Sequence, residues 1–152
     1  MLTELEPDVY QIDLPAAAEP YRAHLFDGPS PTLVDTGSAE TVDTLWTDLD
    51  ALDVRPERVL ITHADFDHVG GLEAVVDRYD PETWAPEQST LSGTIEPDHR
   101  FGHGETVAGF TAVHAPGHVD DNHAFVDESN SIAVLGDVLI GSDRRGLPPG
   151  YF

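Results

Sequence analysis

The segment from Val9 to Leu14 alternates apolar and polar side chains, the period of a strand with one buried face. Ala23 to Phe26 and Thr32 to Asp35 read as two further strands, with Gly28-Pro29-Ser30-Pro31 as the turn between them. The period then changes. Val42, Leu45, Trp46, Leu49 and Leu52 recur at helical spacing, behind Ser38 as an N-cap and Glu40 in the first turn. They predict an amphipathic helix whose apolar stripe packs into the core. Val59 to Thr62 is an apolar run of strand length, and Leu72, Val75, Val76 and Tyr79 form the stripe of a second helix. Thr83 to Ala85 reads as a short strand, His99 to Gly104 as a polar hairpin, and Phe110 to His114, His123 to Val126 and Ile132 to Leu135 as strands. Gln88 to Gly93 carries no clear period.

Strands and helices alternate early and strands dominate later. That order predicts a layered α/β (α+β) arrangement with mixed sheets. No repeat, low-complexity tract or linker interrupts it, and 152 residues suit one domain spanning 1–152.

Between the strand at Val59 and the helix at Leu72 lies Thr62-His63-Ala64-Asp65-Phe66-Asp67-His68-Val69-Gly70-Gly71. Two histidines and two aspartates within six residues, at a strand end, form the outline of a metal site. Imidazole and carboxylate donors suit zinc, iron or manganese. A cluster this short cannot surround an ion alone. Two partners stand out elsewhere: His118 in Ala115-Pro116-Gly117-His118, and Asp137 in Val134-Leu135-Gly136-Asp137. The glycines at 70, 71 and 117 would let the backbone approach closely.

These segments in this order, together with Leu33-Val34-Asp35-Thr36-Gly37, resemble the metallo-β-lactamase superfamily. Its signature runs H-x-H-x-D-H, then a histidine after a Pro-Gly turn, an aspartate at a strand end, and a last histidine. The resemblance implies an αββα sandwich. It implies that His63, Asp65 and His118 hold a first metal, that Asp67 and His68 contribute to a second, and that Asp137 bridges the two. It implies two zinc ions, with iron or manganese as alternatives, and a metal-bound hydroxide that hydrolyses a small ester, thioester or lactone. Asp67 would be catalytic, lying next to the nucleophile and shuttling its proton. Two departures from the signature stand out. Asp65 occupies the position of the second motif histidine, adding a negative charge and a hard oxygen donor that lowers the Lewis acidity of the first metal. No histidine follows His123, so the last ligand is missing, the second metal position is expected to be weak, and the chain reads as lacking its C-terminal segment. The flavodiiron branch of the superfamily also places a carboxylate at the position of Asp65. A diiron redox or oxygen-handling protein is therefore the alternative, and a catalytically silent fragment or binding module is the third reading.

The remaining polar residues read more plainly. Asp35 is expected as a hydrogen-bond acceptor beneath the site. His123 is a group orienting a ligand or an ordinary histidine. His24 and His114 are packing or rim residues, His99 and His103 are solvated, and Asp120 and Asp121 are loop charges. Arg144 and Arg145 are expected as a surface pair, with contact to an anionic substrate near Asp137 as the alternative.

Composition narrows the setting. The chain has 29 acidic residues against seven arginines and no lysine, a net charge of -22. Self-repulsion of that size destabilises a compact state in dilute buffer, a lever known from halophiles, and predicts a halophilic archaeal type. It also weighs against nucleic acid as a partner, leaving a small-molecule substrate and a homo-oligomer as the expected associations. With no cysteine, disulfides and thiolate ligands are excluded. No apolar run reaches the ~20 residues of a membrane span, and Met1 to Asp8 is acidic without the apolar core of a signal peptide, so no membrane association and a cytoplasmic location are expected.

Overall fold

A computed structural model describes residues 1–93 and 95–139. The strands are β1 (Leu2–Glu6), β2 (Val9–Leu14), β3 (Tyr21–Phe26), β4 (Thr32–Val34), β5 (Arg58–Leu60), β6 (Glu82–Pro86), β7 (His99–Phe101), β8 (Thr106–Val107), β9 (Phe110–His114), β10 (His123–Asp127) and β11 (Ile132–Val134). The helices are α1 (Val42–Leu52), α2 (Phe66–Val69) and α3 (Leu72–Tyr79), with a 3-10 turn at Ala39–Thr41 before α1. β1 to β7 form one sheet in sequence order, antiparallel as far as β4 and parallel from β4 to β7. The second sheet has the order β11-β10-β9-β8 and is antiparallel throughout.

Alternation along the central strands sorts side chains into two cores. Leu33 of β4 and Val59 of β5 face one way and pack with Leu45 and Leu49 of α1 and Leu72 and Val75 of α3. Val34 and Leu60, their immediate neighbours, face the other way and pack with Phe110, Ala112, Phe125 and Val134 of the second sheet. The described residues therefore lay out three layers, helices on sheet on sheet, of the expected αββα sandwich. All six of Leu33, Val59, Leu45, Leu49, Val34 and Leu60 are fully buried, and truncating any one of these leucines to alanine costs about 2–5 kcal/mol.

Several boundaries differ from the sequence reading. The acidic N-terminus forms β1, an edge strand with a bulge between Glu4 and Glu6, because its backbone pairs with β2 although its side chains are mostly exposed. His99 to Gly104 is not a hairpin. Its first part is β7, which pairs parallel to β6. Ser38 caps the 3-10 turn and not α1, whose N-cap is Thr41. The Thr41 hydroxyl accepts from Ser38 N–H at 3.1 Å and donates to Ser38 C=O at 3.0 Å. No helix among the described residues is long and apolar enough to cross a membrane.

Candidate metal centre

Parallel β4 and β5 deliver two loops to the same end of the sheet. At the end of β4, Asp35 leaves the strand with φ 61 and its N–H bonds Leu60 C=O at 2.9 Å. Its carboxylate, 2% exposed, then accepts three hydrogen bonds: from Thr62 N–H (2.8 Å), from the Thr62 hydroxyl (2.7 Å) and from His68 Nδ1–H (2.8 Å). This is the acceptor role expected of Asp35. Thr36 N–H and Oγ1–H both bond His68 C=O, at 2.7 and 3.0 Å, and tie α2 to the same turn. Gly71 makes this packing sterically feasible, since a Cβ there would lie 2.6 Å from Thr36 O. The close approach expected at Gly117 is absent, where an added Cβ would meet nothing nearer than Val138 at 3.9 Å.

Donor counting then fixes both imidazoles. The single Thr62 hydroxyl proton goes to Asp35, so Thr62 Oγ1 accepts from His63 Nδ1–H at 2.9 Å. One carboxylate thus places the Nδ1 proton of His63 through Thr62 and that of His68 directly. Both Nε2 atoms are turned toward the site, the usual outer arrangement of a metal-binding histidine.

His63 is fully buried, and its Nε2 makes no hydrogen bond. Asp65 Oδ2 lies 3.5 Å from it and 3.0 Å from His118 Nε2. Asp137 presents its two oxygens to different imidazoles, Oδ1 at 3.2 Å from His68 Nε2 and Oδ2 at 3.6 Å from His118 Nε2. Asp67 Oδ2 is 3.9 Å from His68 Nε2. Two groups of donor atoms converge closely enough to hold an ion each: His63, His118 and Asp137, and Asp67, His68 and Asp137. Asp137 belongs to both. All six residues singled out in the sequence, His63, Asp65, Asp67, His68, His118 and Asp137, therefore meet at one place. An orphaned buried nitrogen facing carboxylates and a second imidazole is a donor set that fits a divalent cation.

The electrostatics point the same way. Burial pulls the His63 imidazole below its ordinary value, and neighbouring His68 adds to this against Asp35, Asp137 and Asp65. The shift favours the neutral imidazole. Burial opposes charge on His68 also, but Asp35 and hydrogen bonds to Asp137 and Asp35 outweigh it, and the group is pushed up to about 11. Burial likewise works against charge on Asp137, yet its bond to His68 and the nearby imidazoles hold it below the usual carboxylate range.

Above the site lies a cavity of about 410 Å³, lined among others by Tyr21, Arg22, His24, Asp67, His68, Asp137 and Leu139. His24 is a rim residue of this cavity, and its Nδ1 is buried without a partner. Asp121 is more than a loop charge. It accepts from Ala64 N–H at 3.0 Å and from the Ser89 hydroxyl. Asn122, which the sequence did not single out, is fully buried behind the site. His123, also fully buried, points its Nδ1–H at Asp121 C=O and packs on Phe101. The two histidines read as solvated are exposed, and each also has a partner. His99 pairs with Glu82 and stacks on Trp84, and His103 Nδ1 accepts from His114 N–H at 3.1 Å. Arg144 and Arg145 lie outside the described residues.

A family model described as the metallo-β-lactamase superfamily matches residues 27–94, and a metallo-β-lactamase from Cronobacter sakazakii (a HARLDQ-motif mutant) superposes with a TM-score of 0.69 at 16% identity over 82% of this chain and 57% of its own. The fold is that of the metallo-β-lactamase superfamily. Among curated proteins with which this metallo-β-lactamase-fold chain shares sequence, the hydroxyacylglutathione hydrolase GloC of Haemophilus influenzae is 26% identical over 150 residues, covering 83% of this chain and 70% of the relative. An atrochrysone carboxyl ACP thioesterase of Claviceps purpurea is 32% identical over 119 residues, covering 72% of this chain and 36% of the relative. The chain thus spans only about a third of that thioesterase.

Proposed function

We propose that the chain is a metal-dependent hydrolase of a small ester, thioester or lactone, with zinc as its metal. The observation that carries this reading is the buried, hydrogen-bond-free Nε2 of His63, set against Asp65, His118 and Asp137. Relatives named as a hydroxyacylglutathione hydrolase and a thioesterase put acyl thioesters first among the substrates.

His63, Asp65, His118 and Asp137 would hold one ion, and Asp67, His68 and Asp137 the other. Bound there, the ions would polarise a scissile carbonyl and bring deprotonation of water toward neutral pH. The protein's own groups do the rest. Asp35 and Thr62 hold the imidazoles in the tautomer that leaves Nε2 free. The cavity lined by Tyr21, His24 and Leu139 receives the acyl group and limits the water around it. The Asp67 carboxylate, at the cavity wall, takes a proton from the attacking water as the new carbon–oxygen bond forms. It returns a proton to the departing sulfur or oxygen as the acyl bond breaks. Asp65 adds negative charge beside His63, which would temper the electrophilicity of an ion held there.

Elemental analysis with a panel of acyl thioesters, esters and lactones tests the proposal. Zinc in the purified protein, and hydrolysis abolished by chelation and restored by zinc, is the expected result. Iron with a visible absorption band and no hydrolysis of any substrate would sink it and establish the diiron redox reading instead.

A further inference from the structure

The metal-binding side chains come from three loops far apart in sequence, and their relative placement must be set by something other than an ion. The loop after β5 carries His63 and Asp65, the loop after β9 carries His118, and the loop after β11 carries Asp137. Two adjacent residues immediately before β10, neither of them in the proposed ligand set, bond all three.

Asn122 is fully buried and uses its whole carboxamide between two of these loops. Nδ2 donates to Ala115 C=O at 3.2 Å and to Leu135 C=O at 3.1 Å, while Oδ1 accepts from Asp137 N–H at 3.1 Å. Its backbone carbonyl accepts from Ala115 N–H at 2.9 Å. Two carbonyls on one side and an N–H on the other admit only one orientation of the amide. The contact is close enough to dictate a neighbour: at Gly136, φ 59, an added Cβ would lie 2.3 Å from Asn122 Oδ1. Asp121 supplies the third connection. Its Oδ2 accepts from Ala64 N–H at 3.0 Å, between His63 and Asp65, and from the Ser89 hydroxyl. Next along the chain, His123 N–H bonds Thr62 C=O at 2.9 Å, so the first loop is held on both sides of His63.

We propose that Asp121 and Asn122 are positioning residues that register the three ligand loops against one another, and so set the metal affinity of the site without touching the metal. The inference rests on the reading of the six-residue cluster as a metal site. Asp121 acts on the His63, Asp65 and His118 position. Asn122 acts on both positions, because it holds the backbone of Asp137, whose oxygens face both. Removing an outer partner of a ligand typically costs about 10–100-fold in metal affinity.

The test is a zinc titration of the full chain followed by imidazole ¹⁵N resonances of His63, His68 and His118. In Asp121→Ala, the His63 and His118 signals should respond only at about 10–100-fold higher free zinc, while His68 responds as in wild type. Asp121→Asn keeps an acceptor oxygen for Ala64 and Ser89 and should behave as wild type. In Asn122→Asp, which faces two carbonyls with an oxygen instead of an amino group, all three histidines should shift to higher zinc. Asp98→Ala is the control. Asp98 clamps Thr83 N–H at 2.8 Å away from the site, so its loss should lower the melting temperature without moving any zinc response. If Asp121→Ala proves too unstable to titrate, Ser89→Ala replaces it. That variant removes one of the two bonds to Asp121 Oδ2 and should shift His63 and His118 in the same direction by less. Unchanged zinc responses in every folded variant, or an Asp121→Asn loss equal to that of Asp121→Ala, would overturn the inference while leaving the metal site intact. Wild-type protein whose histidines ignore zinc would overturn the site reading itself, and the inference with it.

Discussion

Asp35→Asn isolates what one carboxylate does for two imidazoles. The change is isosteric, and asparagine tolerates the left-handed backbone at this position, φ 61, so the turn itself should survive. The hydrogen-bond chain should not. Asp35 accepts three bonds, from Thr62 N–H, Thr62 Oγ1–H and His68 Nδ1–H. An asparagine whose oxygen meets Thr62 N–H turns its amino group toward the other two. Thr62 must then accept and rotate its proton onto His63 Nδ1, and His68 Nδ1 must become an acceptor. Both rings are driven to the Nε2–H tautomer, which blocks a metal at each. With each outer partner worth about 10–100-fold, and one affected ligand at each metal position, each position should lose about 10–100-fold in zinc affinity, or about 1.4–3 kcal/mol. Competition against a chromophoric chelator measures the affinity, and imidazole ¹⁵N shifts report the tautomers. A variant that binds zinc within about threefold of wild type, with both Nε2 atoms unprotonated, would refute the tautomer reasoning.

Other expectations are simpler to state. Metal-free protein should lose stability as pH rises above about 6.5, the ordinary histidine value, toward about 11. The raised folded-state pKa of His68 stabilises the fold while the imidazole is protonated in the unfolded chain too, and that contribution disappears once the folded group deprotonates. Thermal melts of chelated protein check this, and a curve flat from pH 6 to pH 10 would contradict it. His63→Ala and His118→Ala should each abolish tight metal binding, whereas Asp65→His should retain metal and raise the preference for zinc over manganese; elemental analysis after exposure to mixed metals decides both. With a net charge of -22, the melting temperature should rise by about 4 °C or more, equal to about 1 kcal/mol, between dilute buffer and molar potassium chloride, and no change would argue against a salt-adapted protein.

The clustered motif was legible because His63, Asp65, Asp67 and His68 are close in sequence and stand between a strand and a helix that periodicity reveals. His118 and Asp137 stood out by their place after a Pro-Gly turn and at a strand end, but only the resemblance gave them roles, since nothing in their spacing announces where their loops meet. Elements whose side chains face solvent were lost. β1 is held mainly by backbone pairing, with only Leu2 packed on the core, and β7 enters a parallel sheet through a polar stretch that reads equally well as a turn. Asp121 and Asn122 look like any polar loop pair, because their importance lies in which distant backbone groups they reach. A hydrogen bond between Ala64 and Asp121 leaves no periodic trace in the chain. The one available signal was indirect: consecutive polar residues immediately before an apolar strand, next to a candidate ligand loop.

The meeting of His63 with His118 at the seam of the two sheets has a mechanical consequence. A cation gripped by both would act as a crosslink in a chain that has no cysteine to make one. It would close a loop of about 55 residues, and the chain-entropy relation for crosslinks of that length gives about 4 kcal/mol. Unlike a disulfide, such a tie is indifferent to reductants and can be withdrawn by a chelator. The durability of the fold would then be set by the supply of free metal around it, and chelation should speed the parting of the two sheets before it alters either sheet alone.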